Sequence, residues 1–241
     1  MRFAIISDVH ANLEALRATL KAIKKEEPEA LWFLGDIVGY GPNPDECIEV
    51  LKKEAQLLLA GNHDWAVIGL TETEYFNPNA KAALEWTIKT MSKENKGFLK
   101  GLPIFKILRD EGIYLTHSSP KEPEEWHYIL STWDAYINFQ FFNERICFIG
   151  HSHYPFIVEL RPEGEISIYK DYAKFKEGCR YMINVGSVGQ PRDGNSHAAY
   201  AILKDDSIEI KRLPYDIVST QRKMREAGLP SFLIERLSKG V

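Results

Sequence analysis

Five short stretches of this chain hold nearly all of its metal-capable side chains: Asp8-Val9-His10, Gly35-Asp36, Gly61-Asn62-His63-Asp64, Thr116-His117 and Gly150-His151-Ser152-His153. Five of the seven histidines lie inside them. Each stretch follows an apolar, β-prone run: Phe3 to Ile6, Leu31 to Leu34, Leu57 to Ala60, Ile113 to Leu115 and Ile146 to Ile149. Ligands at the ends of several buried strands of one sheet converge on the crevice where open α/β sheets place their sites. Imidazoles mixed with carboxylates and an amide suit divalent transition metals such as manganese, iron, nickel or zinc. In Gly-His-Ser-His the two rings stand two residues apart after a strand and point to neighbouring positions. A lone Asp-x-His is commonplace, and Gly-Asp at a strand end is more often a turn. The ordered set, each member behind a hydrophobic run, predicts a two-metal hydrolase.

That order resembles the calcineurin-like metallophosphoesterase superfamily, over roughly the first four-fifths of the chain if Asn184-Val185-Gly186-Ser187-Val188-Gly189-Gln190-Pro191-Arg192-Asp193 is counted. That segment and Gly39-Tyr40-Gly41-Pro42-Asn43-Pro44 are similar to the small prokaryotic phosphodiesterase-like branch. The resemblance implies an α/β fold: a four-layer αββα sandwich of two packed mixed sheets with outer helices. It also implies two divalent ions, manganese first, with iron, nickel, zinc or magnesium as the other candidates. Carried over residue by residue, Asp8, His10 and His153 hold one metal. Asn62, His117 and His151 hold the other, with Asp36 bridging, and His63 stands beside them as an unligated catalytic imidazole. Asp36, Asn62 and His63 are then the catalytic residues.

Phosphoester hydrolysis needs a nucleophile at neutral pH and a cage for the charge on the transferring phosphoryl. Two metals about 3.5–4 Å apart supply both. Asp36 is short, anionic and able to give one oxygen to each ion. Asn62 offers only a neutral carbonyl and leaves its metal more Lewis acidic. His63, oriented by Asp64, is placed to protonate the leaving oxygen.

The chain also departs from the pattern. In the Ser/Thr protein phosphatases of the superfamily, Gly-Asp continues to an Asp-Arg pair that orients the catalytic histidine. Here Gly39 and Tyr40 hold those places, which argues against a protein phosphatase. Ala11 and Ser118 replace two family glycines without removing a ligand.

At 241 residues, 44% hydrophobic and 27% charged, the composition is that of one sizeable globular domain. A net charge of −4 and a pI near 6.0 argue against a polynucleotide partner. Cys47, Cys147 and Cys179 form no Cys-x-x-Cys motif, as expected in a reducing compartment, and Cys147 reads as a small buried hydrophobe. No apolar run approaches the length of a membrane span, and the first strand leaves no room for a cleavable signal before Asp8. A cytoplasmic location is expected.

The first third alternates strand and helix: Phe3–Ser7, a helix from Asn12 to Glu27, Ala30–Leu34, a helix over Asp45–Glu54, then Gln56–Ala60. Short connections of this kind imply parallel strands. Helices over Pro78–Met91 and Lys93–Lys100 follow. The second half is β-rich. Hairpins are predicted around Asp110-Glu111-Gly112, Pro162-Glu163-Gly164 and Asp205-Asp206. A helical tail covers residues 216–239, as Asp216–Ala227 and Ser231–Ser238.

An aromatic-rich insertion at 120–143 contains Trp126, His127, Tyr128, Trp133, Tyr136, Phe139, Phe141 and Phe142. Its aromatics either pack a helix at Trp133–Phe142 onto the body, or form a lid or dimer surface with Trp126 or Tyr128 stacking on a nucleobase. The Thr71–Asn79 loop competes for the specificity role. Arg192 and Tyr40 are candidate substrate grips. Arg192 could instead pair with Asp193, Tyr40 could serve a plain turn, and His197 is read as structural.

The expected activity is phosphodiester or small-phosphoester hydrolysis, on a substrate that could be a nucleotide. A diadenosine-tetraphosphatase-like hydrolase is the alternative, and a protein-binding scaffold that keeps its metals is the reading outside catalysis. A homodimer stays open. If Asp36 touches both ions, Asp36→Asn loses metal and activity together on every substrate; elemental analysis beside turnover checks this, and a variant with full metal content breaks the bridging assignment.

Overall fold

Alternation along the strands sets the layers. In the computed structural model, which describes residues 2–241 apart from the side chain of Tyr75, strand β1 (Arg2–Ile6) sends Phe3 and Ile5 to one face and Ala4 and Ile6 to the other. It pairs in parallel with β2 (Ala30–Phe33), which pairs in parallel with β3 (Leu57–Leu58). On its other edge lies antiparallel β11 (Ala198–Lys204), followed by β12 (Ser207–Leu213) and β9 (Tyr172–Lys174). The second sheet runs β4 (Phe105–Leu108), β5 (Ile113–Thr116), β6 (Ile146–Ile149), β10 (Arg180–Asn184), β7 (Phe156–Leu160), β8 (Ile166–Tyr169). Both sheets are mixed.

The interior between the sheets combines Phe3, Ile5, Trp32 and Leu34 of the first with Leu115, Phe148, Ile157 and Ile183 of the second. Outside the first sheet, Ala4, Ile6 and Phe33 meet Leu16 and Leu20 of α1 (Leu13–Lys24) and Ile48 and Leu51 of α2 (Pro44–Glu54). Outside the second, Tyr114, Cys147 and Met182 meet Ala135 of α6 (Thr132–Asn138), then Phe139 and Phe142. This is the expected αββα sandwich. Asn12 caps α1, accepting from Ala15 N at 3.1 Å, and its Nδ2 donates to Gly189 O at 2.8 Å, tying the helix start to a loop of the other half of the chain.

Further helices are α3 (Asn62–Val67), α4 (Pro78–Thr90), α5 (Lys93–Lys100), α7 (Ile217–Glu226) and α8 (Ser231–Lys239). The three predicted hairpins are present as β4–β5, β7–β8 and β11–β12. Other expectations need correction. The third strand is only Leu57–Leu58, not Gln56–Ala60, because the chain turns into α3 at Asn62. The helix expected over Trp133–Phe142 stops at Asn138, and Phe139 and Phe142 pack beyond its end. Strands β9 and β10 carry too few apolar residues at strand spacing to stand out. The three cysteines are free and buried. No helix among the described residues is long and apolar enough to cross a membrane.

Phe148 is fully buried between the sheets, so Phe148→Ala leaves a cavity and lowers stability by about 3–5 kcal/mol. Chemical denaturation measures this; a loss under about 1 kcal/mol would mean the inter-sheet core is not packed as described.

Candidate metal centre

The predicted residues leave the carboxyl ends of the central strands and meet. Asp8 and His10 follow β1, Asp36 follows β2, and Asn62 and His63 open α3 after β3. His117 follows β5, and His151 and His153 follow β6. The turns that aim them are tight. Asp8, His10, Asp36, Tyr40, His151 and His153 all adopt positive φ, between 49° and 65°. Asp and His tolerate that region better than most residues, and such strain collects where a site over-determines the backbone.

Asp8 Oδ1 lies 3.2 Å from His153 Nε2, 3.7 Å from His10 Nε2 and 4.0 Å from His117 Nε2. Asp36 Oδ2 lies 3.6 Å from His10 Nε2 and 3.3 Å from His117 Nε2. The remaining carboxylate oxygens accept backbone bonds: Asp36 Oδ1 from His63 N at 2.9 Å, and Asp8 Oδ2 from His151 N at 3.1 Å. Asp36 Oδ1 thus accepts a backbone N–H, and Oδ2 is the oxygen that lies near both His10 and His117.

The histidine tautomers follow from their partners. His10, His117 and His153 each place Nδ1 on a carbonyl, Val38 O at 3.0 Å, Leu34 O at 3.1 Å and Gln190 O at 2.6 Å. A carbonyl only accepts, so Nδ1 carries a proton in each ring, and Nε2 is the nitrogen turned inward, offering a lone pair wherever it is unprotonated. His10 Nε2 and His153 Nε2 then face each other at 3.0 Å, a geometry that calls for a cation between them. His151 is held on its face instead, stacked against Tyr128 at 4.1 Å and 17°.

Buried atoms without partners test the fit of a metal. Among the described residues, Asp8 Oδ1, Asn62 Oδ1, His117 Nε2 and His151 Nε2 lack hydrogen bonds, and each is an expected ligand atom. The trios Asp8–His10–His153 and Asp36–His117–His151 each bring their donor atoms within 4.8 Å of one another. The cluster is able to hold metal ions. A third trio, His10–Asp36–His63, also qualifies, so proximity alone does not separate His63 from the ligands.

Around the cluster lies a shell that the sequence reading missed. Asn184 Nδ2 donates to Gly150 O at 2.6 Å, Ser187 Oγ donates to Asp8 O at 2.8 Å, and Gln190 supplies the carbonyl for His153. Their signal was the Asn184-to-Asp193 segment itself. Asp64 does not orient His63, contrary to expectation. Its carboxylate accepts from the backbone N–H of Asp36 (2.9 Å), Ile37 (3.3 Å), Val38 (3.2 Å) and Gly61 (3.0 Å), bracing two loops together. His63 is held by packing against Tyr40, Phe76 and His10. Gly39 has φ +87°, and a Cβ there would lie 2.4 Å from His63 Nδ1.

Asn62, His63 and His151 form the metal-side wall of a cleft of about 750 Å³, with Tyr40 and Arg192 beside them. Arg192 does not pair with Asp193, which pairs with Arg212. It donates instead to Gln190 Oε1 at 2.8 Å and Tyr40 Oη at 3.3 Å. His197 is exposed at the start of β11, its carbonyl accepting from Arg212. The aromatic insertion divides: Trp126 and Tyr128 line the cleft, Phe139 and Phe142 are core, and Trp133 stays 66% exposed.

The calcineurin-like phosphoesterase family model matches residues 1–184. The chain is 41% identical over 241 residues to uncharacterized protein MJ0912 of Methanocaldococcus jannaschii, covering 98% of this chain and 97% of that one. Its structure is similar to that of a metallophosphoesterase from Sphaerobacter thermophilus, with TM-score 0.86 and 42% identity over 100% of this chain and 99% of the other. A shorter stretch of 69 residues, 27% of this chain and 25% of its counterpart, is 32% identical to a symmetrical bis(5'-nucleosyl)-tetraphosphatase of Psychromonas ingrahamii.

Electrostatics predict how metal uptake depends on pH. Burial alone would lower the pKa of His117, but the Asp36 and Asp8 carboxylates overcome it and raise it to about 9. Burial, helped by neighbouring cationic groups, pushes His151 and His153 down to about 3. At pH 7 the metal-free protein therefore carries a proton on His117 Nε2, where a metal would bind. Loading releases this proton, and apparent affinity climbs with pH until about 9. Calorimetry in buffers of different ionisation enthalpy measures the release; none at pH 7 would contradict the assignment.

Proposed function

The chain belongs to the calcineurin-like phosphoesterase family, and from that premise we propose a binuclear metal-dependent phosphoesterase acting on small phosphodiesters, with manganese as the preferred ion. The reading is carried by the unpartnered buried donors Asp8 Oδ1, Asn62 Oδ1, His117 Nε2 and His151 Nε2 gathered around Asp36 Oδ2. Asp8, His10 and His153 would hold one ion, and Asn62, His117 and His151 the other, with Asp36 shared. Bound there, the ions would acidify a water and clamp phosphoryl oxygens.

The protein's own groups do the rest. Arg192 has no carboxylate partner among the described residues and lines the same cleft as Asn62, which suits it to a phosphoryl oxygen. Tyr40 Oη accepts from Arg192 and holds the guanidinium in place. His63 stands at the same wall, placed to give a proton to the leaving oxygen. Burial holds its imidazole neutral in the resting protein, its pKa well below the usual histidine range. The acid form therefore depends on an anionic phosphoryl beside the ring, whose charge favours imidazolium.

The aromatic walls of the cleft, Trp65, Phe76 and Trp126, favour a second reading, a nucleotide hydrolase of the diadenosine-tetraphosphatase kind. A metal-reconstituted panel of phosphomonoesters, phosphodiesters and dinucleotides separates the two. Metal content with no turnover on the panel would leave only a binding scaffold.

His63→Ala keeps its metals and loses roughly 10²–10⁴ in turnover on esters with poor leaving groups, and less on nitrophenyl esters. Equal loss on both, with metal retained, would move His63 to phosphoryl binding. Loss of a metal would make His63 a ligand, as the His10–Asp36–His63 trio allows.

A further inference from the structure

We infer that the cleft selects phosphodiesters whose alcohol carries an alkylammonium group, and that it disfavours polyphosphates; this rests on the phosphodiesterase reading above. The lining of the cleft is unequal in charge. Arg192, bonded to Tyr40, is its one lining Lys or Arg among the described residues. The lining also carries the exposed carboxylates Glu72, Glu124 and Glu125, and none of these has an ion-pair partner among the described residues. A dinucleoside tetraphosphate would bring several negative charges against them. A single phosphodiester needs only Arg192 and the metal end, leaving the carboxylates to attract a cation.

The aromatic geometry points to the shape of that cation. Trp65 and Trp126 meet edge to face, centroids 5.1 Å apart at 87°. A flat base is best held between parallel walls, whereas perpendicular rings make a corner suited to a compact, round group. Aromatic faces beside carboxylates attract quaternary or alkylated ammonium groups through the ring quadrupole. Both rings are positioned. Trp65 sits in α3 two residues after His63, and Trp126 is fixed at φ +56° in a segment that also holds Glu122 at +47°. Trp126 Nε1 is buried without a hydrogen-bond partner among the described residues.

The test compares two esters with the same leaving group on the metal-loaded enzyme: p-nitrophenyl phosphorylcholine and p-nitrophenyl 3,3-dimethylbutyl phosphate, its uncharged isostere. The expected preference in kcat/KM is roughly tenfold for the cation. It should shrink with added salt and approach parity in Glu72→Gln/Glu124→Gln/Glu125→Gln and in Trp126→Leu. Parity in the wild type overturns the inference while leaving the phosphodiesterase reading intact. A preference for diadenosine tetraphosphate over both esters also overturns it. If neither ester nor bis(p-nitrophenyl) phosphate is cleaved, the underlying reading fails, and tryptophan fluorescence of the metal-free protein then decides about the cleft. Saturable quenching by tetramethylammonium but not by tert-butanol, lost in Trp126→Leu, supports the cation corner, and no quenching overturns it. Turnover of glycerophosphocholine, set against phosphatidylcholine vesicles, tells a free diester from a lipid headgroup.

Discussion

Two carboxylates and four imidazoles, Asp8, Asp36, His10, His117, His151 and His153, are buried together, and the surrounding structure answers to that crowding. Burial would push both carboxylates to their neutral forms, but the imidazoles hold Asp8 and Asp36 well below the usual carboxylate range. Even so, lone pairs converge at 3.0 Å between His10 and His153. Buried ionic groups of this density are costly unless compensated. Compensation by bound cations would explain why so many ligand atoms have no protein partner. The strained loops are then a consequence, since six side chains from the ends of four strands reach one point only if the backbone turns sharply there.

The loops are held by backbone bonding more than by packing. Asp64 gathers four N–H groups from the Asp36 loop and from Gly61, so the β2 and β3 ends move as one piece. Gly61 allows this, because a Cβ there would lie 2.2 Å from Asp36 Oδ1. Across the site, Ser187 and Asn184 tie the Asp8 and Gly150 turns to the end of β10. A metal-capable cluster drawn from both halves of the chain is thus braced by carbonyls and amides that no composition or periodicity reports.

That division explains which features were legible in the sequence. The clustered carboxylates and imidazoles could be read because metal-capable chemistry restricts residue type, and because apolar runs such as Ile146 to Ile149 show where strands end. The hairpins could be read from Gly and Asp turn signals. Strand β10 could not, since Arg180 and Asn184 bracket only Tyr181, Met182 and Ile183. Asp64 misleads because proximity to His63 in sequence says nothing about direction: α3 begins at Asn62 and turns Asp64 away from its neighbour's ring. Trp65 is hidden for the same reason, its place in the cleft set by a helix too short to show a periodic pattern. The aromatic segment could not be assigned to core or cleft because it serves both.

At His63 packing replaces an ionic partner, and the replacement changes the chemistry of the ring. Where the protein phosphatases of the superfamily carry an Asp-Arg pair, this chain has Gly39 and Tyr40. Gly39 leaves the room that His63 Nδ1 occupies, and Tyr40 lies tilted against the ring at 4.5 Å. Tyr40 is backed by Ala80 and Ala83 of α4 and by Met224, Leu233 and Leu237 of the C-terminal helices. The tail thereby reaches the site through one aromatic ring. A histidine oriented by shape has no carboxylate bonded to its ring to hold a proton on it, and burial favours the neutral form. Under the phosphoesterase reading, an anion entering the cleft would add to the pull of Asp36 toward imidazolium. Protonation of a leaving oxygen by this ring would then be tied to the seating of the substrate.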